Sequence, residues 1–273
     1  MSPRIDARLI GALTPRDRDI LDSIDRYRLL SSSLIRRLHF APSHQGKDAG
    51  ARSVNRVMHR LESLHLVSRM DQRIGGYQGG STSLSWQLSL GGHKLMAALT
   101  GQPQRSPLPT SSWLFAQHTL AIADVAIGLT EAERLGAFDL LRLDTEPQCW
   151  QDFVTPSGVA RRLKPDLYVV TADDNFEEHA FIEVDLGTEH QPTLTRKART
   201  YRSYRDSGRH EATHGVFPRV VWVTPDRRRQ SAVRAAVAAT TGEQDGLHLV
   251  VTFDDLPGPL APTPAPQEQG SSP

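Results

Sequence analysis

The 273 residues carry 32 Lys and Arg against 31 Asp and Glu, with 38% hydrophobic and 23% charged residues, a soluble globular composition with room for two cores. No apolar run approaches the roughly 18 residues that span a bilayer, so no membrane role is expected. The N-terminus MSPRIDARLIGALTPRD lacks the apolar segment of a secretory signal, and the single Cys149 excludes an internal disulfide and a Cys-based zinc site, as suits a reducing cytoplasm. The near-neutral total conceals an asymmetry, because residues 1–105 hold 16 Lys and Arg against 8 Asp and Glu, and the remainder holds 16 against 23. A basic first part suits a polyanionic partner, since phosphate contacts supply most non-specific affinity for DNA.

In chain order, Thr14 is placed to cap a helix, with Pro15 at its first position and Asp17 in its first turn. Ile20, Leu21, Ile24 and Tyr27 then follow at helical spacing. Ser32 or Ser33 is expected to cap a short second helix carrying Leu34, Ile35, Leu38 and Phe40. After a polar loop around residues 44–50, Val54, Val57, Met58, Leu61 and Leu64 form the apolar stripe of a third helix. LVSRMDQRI and SLSWQLS read as strands flanking the glycine-rich tip GGYQGGST, and a closing helix covers residues 92–99. This order predicts a winged helix-turn-helix domain over residues 1–100 that binds double-stranded DNA.

The third helix is the recognition helix of that reading. Its apolar stripe leaves Arg52, Ser53, Asn55, Arg56, His59 and Arg60 on other faces. Arg pairs bidentately with guanine and Asn with adenine, so Arg52, Asn55 and Arg56 suit base readout. Arg36, Arg37, Arg69 and Arg73 are placed to hold phosphates and set the register.

Residues 101–112, rich in Pro and Ser, read as a linker, and residues 257–273 as a disordered Pro-rich tail outside any core. Between them, residues 113–256 begin with an amphipathic helix over 114–135. Strands are expected at 140–145, 160–163, 167–171 and 180–185, a helix at 193–206, a strand at 220–224, a helix at 227–241 and a strand at 247–253. The fold class is therefore α/β, α+β for the chain as a whole, with the second domain an α/β sandwich around a mixed sheet.

Chemistry concentrates in two segments of the second domain. Lys164-Pro165-Asp166 leads into the strand LYVVT, and FIEVD places Glu183 and Asp185 two apart on one strand face. Asp166, Glu183 and Asp185 converge if the strands are neighbours, and convergent carboxylates suit Mg²⁺ or Mn²⁺, which can assist phosphodiester cleavage. The pattern resembles the PD-(D/E)xK nuclease superfamily and its restriction-endonuclease-like fold. It departs from that superfamily in placing Asp185 where the catalytic lysine is expected. Lys197 on the next helix is the candidate migrated lysine, while Arg196 and Arg199 can contact phosphate.

Other signals carry less. His210-Glu211-Ala212-Thr213-His214 matches HExxH, but the flanking Ser207-Gly208, Gly215 and Pro218 predict a loop rather than the helix that motif requires. The glycines at 75, 76, 79 and 80 do not lead from strand to helix and form no phosphate-binding loop. Cys149, Tyr201 and Tyr204 read as packing residues.

Taken together, LTPRDRDIL, RSVNRVMHRLESLHLV and RRLKPDLYVV…FIEVDLGTEHQPTLTRKARTYRSY resemble the replication-relaxation family of bacterial plasmid and mobile-element proteins, over residues 13 to about 225. The resemblance implies a role in plasmid replication, DNA relaxation or transfer, with a homodimer or replication and transfer proteins as partners. Two readings follow: a Mg²⁺- or Mn²⁺-dependent nicking nuclease using Asp166, Glu183, Asp185 and Lys197, or a non-catalytic DNA-binding accessory or regulator with a degenerate nuclease-like domain.

Overall fold

A computed structural model describes residues 5–40, 47–70, 83–103, 113–241 and 246–262. The chain is α+β and divides into two compact units, residues 1–127 and 128–273.

The first unit opens with α1 (Ala7–Ala12) and α2 (Pro15–Tyr27). α2 starts as expected. The Thr14 hydroxyl accepts from the Asp17 backbone while the Asp17 carboxylate accepts from Thr14, a capping box that satisfies donors at the helix start. β1 (Leu30–Ser31) leads into α3 (Ser32–His39), whose cap is Ser31 rather than Ser32 or Ser33. α4 (Lys47–Ser63), β2 (Val67–Arg69), β3 (Ser85–Leu88) and α5 (Leu90–Thr100) follow. β1 and β2 pair antiparallel with opposite edges of β3, so Trp86 faces Leu30 on one side and Arg69 on the other. Trp86 is fully buried, and its indole N–H donates to Ser32 at 2.9 Å. α5 crosses close to the end of β2. A Cβ on Gly92 would lie 2.1 Å from the Leu66 carbonyl oxygen, so the approach requires glycine.

α6 (Trp113–Arg134) spans the division between the units. Its most apolar window reaches a mean hydropathy of 1.2 over 18 residues, long and apolar enough to cross a membrane by composition, which corrects the expectation that no run approaches that length. Its Ala123, Ala126 and Ile127 are buried in protein and its Asp124 pairs with Arg37, as in a helix packed within a folded unit.

In the second unit, β4 (Asp139–Thr145), β7 (Leu167–Ala172), β8 (Glu177–Val184), β9 (Arg219–Thr224) and β10 (His248–Thr252) form one mixed sheet in the order β10-β9-β8-β7-β4. β8, β9 and β10 run parallel, and β7 and β4 are antiparallel additions. The strand expected at 160–163 is present as β6 (Ala160–Leu163), but among the described residues it pairs with β5 (Gln151–Val154) in a separate two-stranded ribbon and not in the five-stranded sheet. α7 (Gln191–Asp206) and α9 (Arg227–Thr241) pack side by side, and α8 (Arg209–His214) follows α7. The tail expected from residue 257 is also corrected at its start. Gly258–Leu260 forms a short 3₁₀ turn with Leu260 buried, and Thr171 and Arg219 donate to the carbonyls of Leu260 and Pro259.

Candidate functional site

α4 separates its faces by spacing alone. Val54, Met58 and Leu61 are buried. Arg52, Asn55, Arg56 and His59, at i, i+3, i+4 and i+7, share one exposed face. Among the described residues, the side chains of Arg52, Asn55 and Arg56 have no hydrogen bond or ion pair. His59 stands apart, 3.4 Å from Glu62 and edge-on to Trp86.

The other expected DNA contacts divide differently. Arg60 is an internal tie: it pairs with Asp17, which is fully buried and already serves the cap of α2, so Arg60 joins α4 to α2 and is not free for DNA. Arg37 pairs with Asp124. Arg69 makes a two-pronged pair with Glu62 at 2.7 and 2.9 Å and lies over Trp86. That pair is open to water and screened by it, so a phosphate can compete for Arg69. Arg36 is half-buried, its aliphatic stem close to Gly50, and Ser53 is half-buried. Arg73 and the glycine-rich tip lie outside the described residues.

In the second unit, strand alternation puts Phe181, Glu183 and Asp185 toward α7 and α9. Phe181 meets the rings of Tyr201 and Tyr204. One Glu183 oxygen accepts from Lys197 Nζ at 2.8 Å and the other from the Tyr201 hydroxyl at 2.5 Å. Lys197 also bonds Glu189 at 2.7 Å. Asp166 enters β7 opposite Glu183: its backbone N–H donates to Ile182, and its carboxylate accepts from Val184 N at 2.7 Å. The structure thus brings Asp166, Glu183 and Lys197 together.

Asp185 is directed elsewhere. Arg229 of α9 grips it through two nitrogens at 3.1 and 2.6 Å, Gly187 N donates to it, and the same Arg229 reaches the Glu189 carbonyl. The expected three-carboxylate cluster is therefore two carboxylates with a lysine, beside a separate Asp–Arg clamp. Among the described residues no three His, Cys, Asp or Glu side chains are grouped to hold a metal ion. Asp166 and Glu183 are the two carboxylates here that could hold a cation, and their oxygens accept from Val184 N, Lys197 and Tyr201. Burial pushes the Glu183 carboxyl up to about 7 against the pull of Lys197. Burial alone would lower Lys197, but the charges of Glu183 and Asp166 outweigh it and hold the ammonium charged. Tyr201, Glu189 and Arg229 were not expected here. Only Tyr201, one turn beyond Lys197 on the same helix face, carried a local signal.

HEATH corrects the expected loop: it is the helix α8, and the His210 and His214 rings lie 4.5 Å apart. Both nitrogens of His210 already face hydroxyls, Tyr204 at 3.1 Å and Tyr168 at 3.4 Å. Burial, with His214 and His179 nearby, lowers His210 to about 4. Its contribution to stability is therefore complete above about 6.5 and is lost as pH falls toward about 4. Glu183 runs the other way, its contribution being lost as pH rises from about 4.5 to about 7. Glu183→Gln should consequently lose most stability at acidic pH and progressively less toward neutrality, as measured by urea denaturation across pH. A wild-type and variant difference independent of pH would contradict this assignment.

Compared with known proteins, the chain matches the family model described as replication-relaxation over residues 21–220. No curated protein and no solved structure matches it.

Proposed function

Because the chain belongs to the replication-relaxation family, we propose that it is a DNA-binding protein of plasmid or mobile-element replication, relaxation or transfer, working on duplex DNA in the cytoplasm. The observation that carries this reading is the unneutralised face of α4, where Arg52, Asn55 and Arg56 stand exposed and unbonded among the described residues. α2, α3 and α4 followed by the antiparallel β2–β3 pair support a winged helix-turn-helix, in which such a helix lies in the major groove. Replacing Arg52 and Arg56 together and titrating labelled duplex tests it.

One observation favours nicking as a second reading: Lys197, absent from the usual motif position, stands 2.8 Å from Glu183 with Asp166 alongside. The fold of the second unit is then a PD-(D/E)xK-type domain. Asp166 and Glu183 would hold Mg²⁺ or Mn²⁺, which supplies Lewis acidity at the phosphodiester. Lys197 orients the attacking water, and Tyr201 fixes the Glu183 carboxylate. Asp185, held by Arg229, has a structural role. On supercoiled plasmid with Mn²⁺, the wild type should form open circles and Glu183→Ala should not. Intact plasmid with a wild type that binds it would leave the accessory reading, in which the second unit is a scaffold for replication or transfer proteins or for a second copy.

A further inference from the structure

In the acidic second unit, arginines are commonly neutralised. Arg142 bonds Asp144, Arg162 bonds Asp152, Arg219 bonds Glu178, Arg227 bonds Asp255 and Arg229 bonds Asp185. Arg196, Arg199 and Arg202 differ. All three are exposed on α7, and among the described residues none has a side-chain hydrogen bond or ion pair. Their spacing of three places them in a row climbing about 4.5 Å per step. The first turn of α7 contains no acidic residue. Gln191, Pro192 and Thr195 join Arg196 and Arg199 in lining an open groove beside the row.

The opposite face of the same helix is fully engaged. Lys197 and Tyr201 bond Glu183, and Leu194, Ala198 and Tyr204 are buried. The outward row therefore contributes nothing to packing, and it keeps three like charges together that a merely solvated surface would have reason to intersperse with carboxylates. Planar guanidinium groups spaced along a helix suit the oxygen atoms of successive phosphates.

We propose that Arg196, Arg199 and Arg202 form a second DNA-contacting surface, distinct from α4, that grips the phosphodiester backbone of duplex DNA without reading its sequence. This rests on the reading of the chain as DNA-binding. Each phosphate neutralised contributes about −0.9 to the slope of log K against log salt, so the row contributes about 2.7 to its magnitude.

The test is fluorescence anisotropy of the full chain on a short labelled duplex of arbitrary sequence across KCl concentrations. Arg196→Ala, Arg199→Ala and Arg202→Ala combined should shrink the slope by about 2–3 and weaken affinity roughly tenfold or more. The matching triple Lys variant should retain the slope. Wild-type slope and affinity in the triple Ala variant would overturn the second surface. If Arg52→Ala with Arg56→Ala still weakened binding in that same experiment, the α4 reading would stand without it. A wild type that binds no duplex would overturn both.

Discussion

Lys197→Met is expected to destabilise the protein by about 3 kcal/mol, at the lower end of what removing one partner of a buried ion pair costs. The Glu183 side chain is 3% exposed, so without the ammonium its carboxyl must either carry its charge in a dry site or take up a proton there, with the Tyr201 hydroxyl still bonded to it. The lower end applies because Lys197 is itself 30% exposed, which lets water screen part of the pair. Two further measurements separate this account from simple loss of packing. Combining Lys197→Met with Glu183→Gln removes both charges and should recover most of the stability. The cost of the single variant should shrink at acidic pH, where Glu183 takes up a proton. A single-variant loss below about 0.5 kcal/mol, the range of ordinary surface changes, or a double variant no more stable than the single, would show that the pair does not hold α7 to the sheet.

Arg52→Ala combined with Arg56→Ala is expected to weaken duplex binding about a hundredfold, since each good Arg contact to a base is worth about 1–3 kcal/mol. Folding should be unaffected, because both side chains are exposed and, among the described residues, unbonded, on the face opposite Val54, Met58 and Leu61. Arg60→Ala should behave in the opposite way. It leaves buried Asp17 without its counter-charge, so its main effect falls on stability. The three arginines occupy one helix within nine residues, and the contrast between them distinguishes a DNA face from a generally basic one. Equal binding by the double variant and the wild type at physiological salt would remove α4 from the interface.

Features governed by near neighbours were legible in the sequence. Thr14, Pro15 and Asp17 specify the start of α2 because a capping box needs only residues three apart. The α4 stripe and the Glu183 and Asp185 alternation follow from the periods of helix and strand. Pairings between distant elements were not legible. Arg60 meets Asp17 across 43 residues and Arg229 meets Asp185 across 44, so no spacing announces either. Both partnerships reassign residues that sequence alone offers to DNA or to a metal. The two-residue β1 has too little pattern to register and exists because β3 has an edge for it. α8 was hidden by its own boundaries. Gly208 and Gly215, which suggest a loop, are its left-handed caps with φ of 65° and 78°.

Whether α4 faces DNA is tested most directly by site-directed photo-crosslinking from Asn55. Cys149 is fully buried, and burial pushes its thiol up, so it resists modification. A thiol-reactive photoprobe therefore labels Asn55→Cys or the control Leu99→Cys on α5 with little background. Irradiation with labelled duplex should yield a covalent complex from position 55, competed by unlabelled duplex, and little from position 99. Bound duplex captured from position 99 but not from position 55 would contradict it.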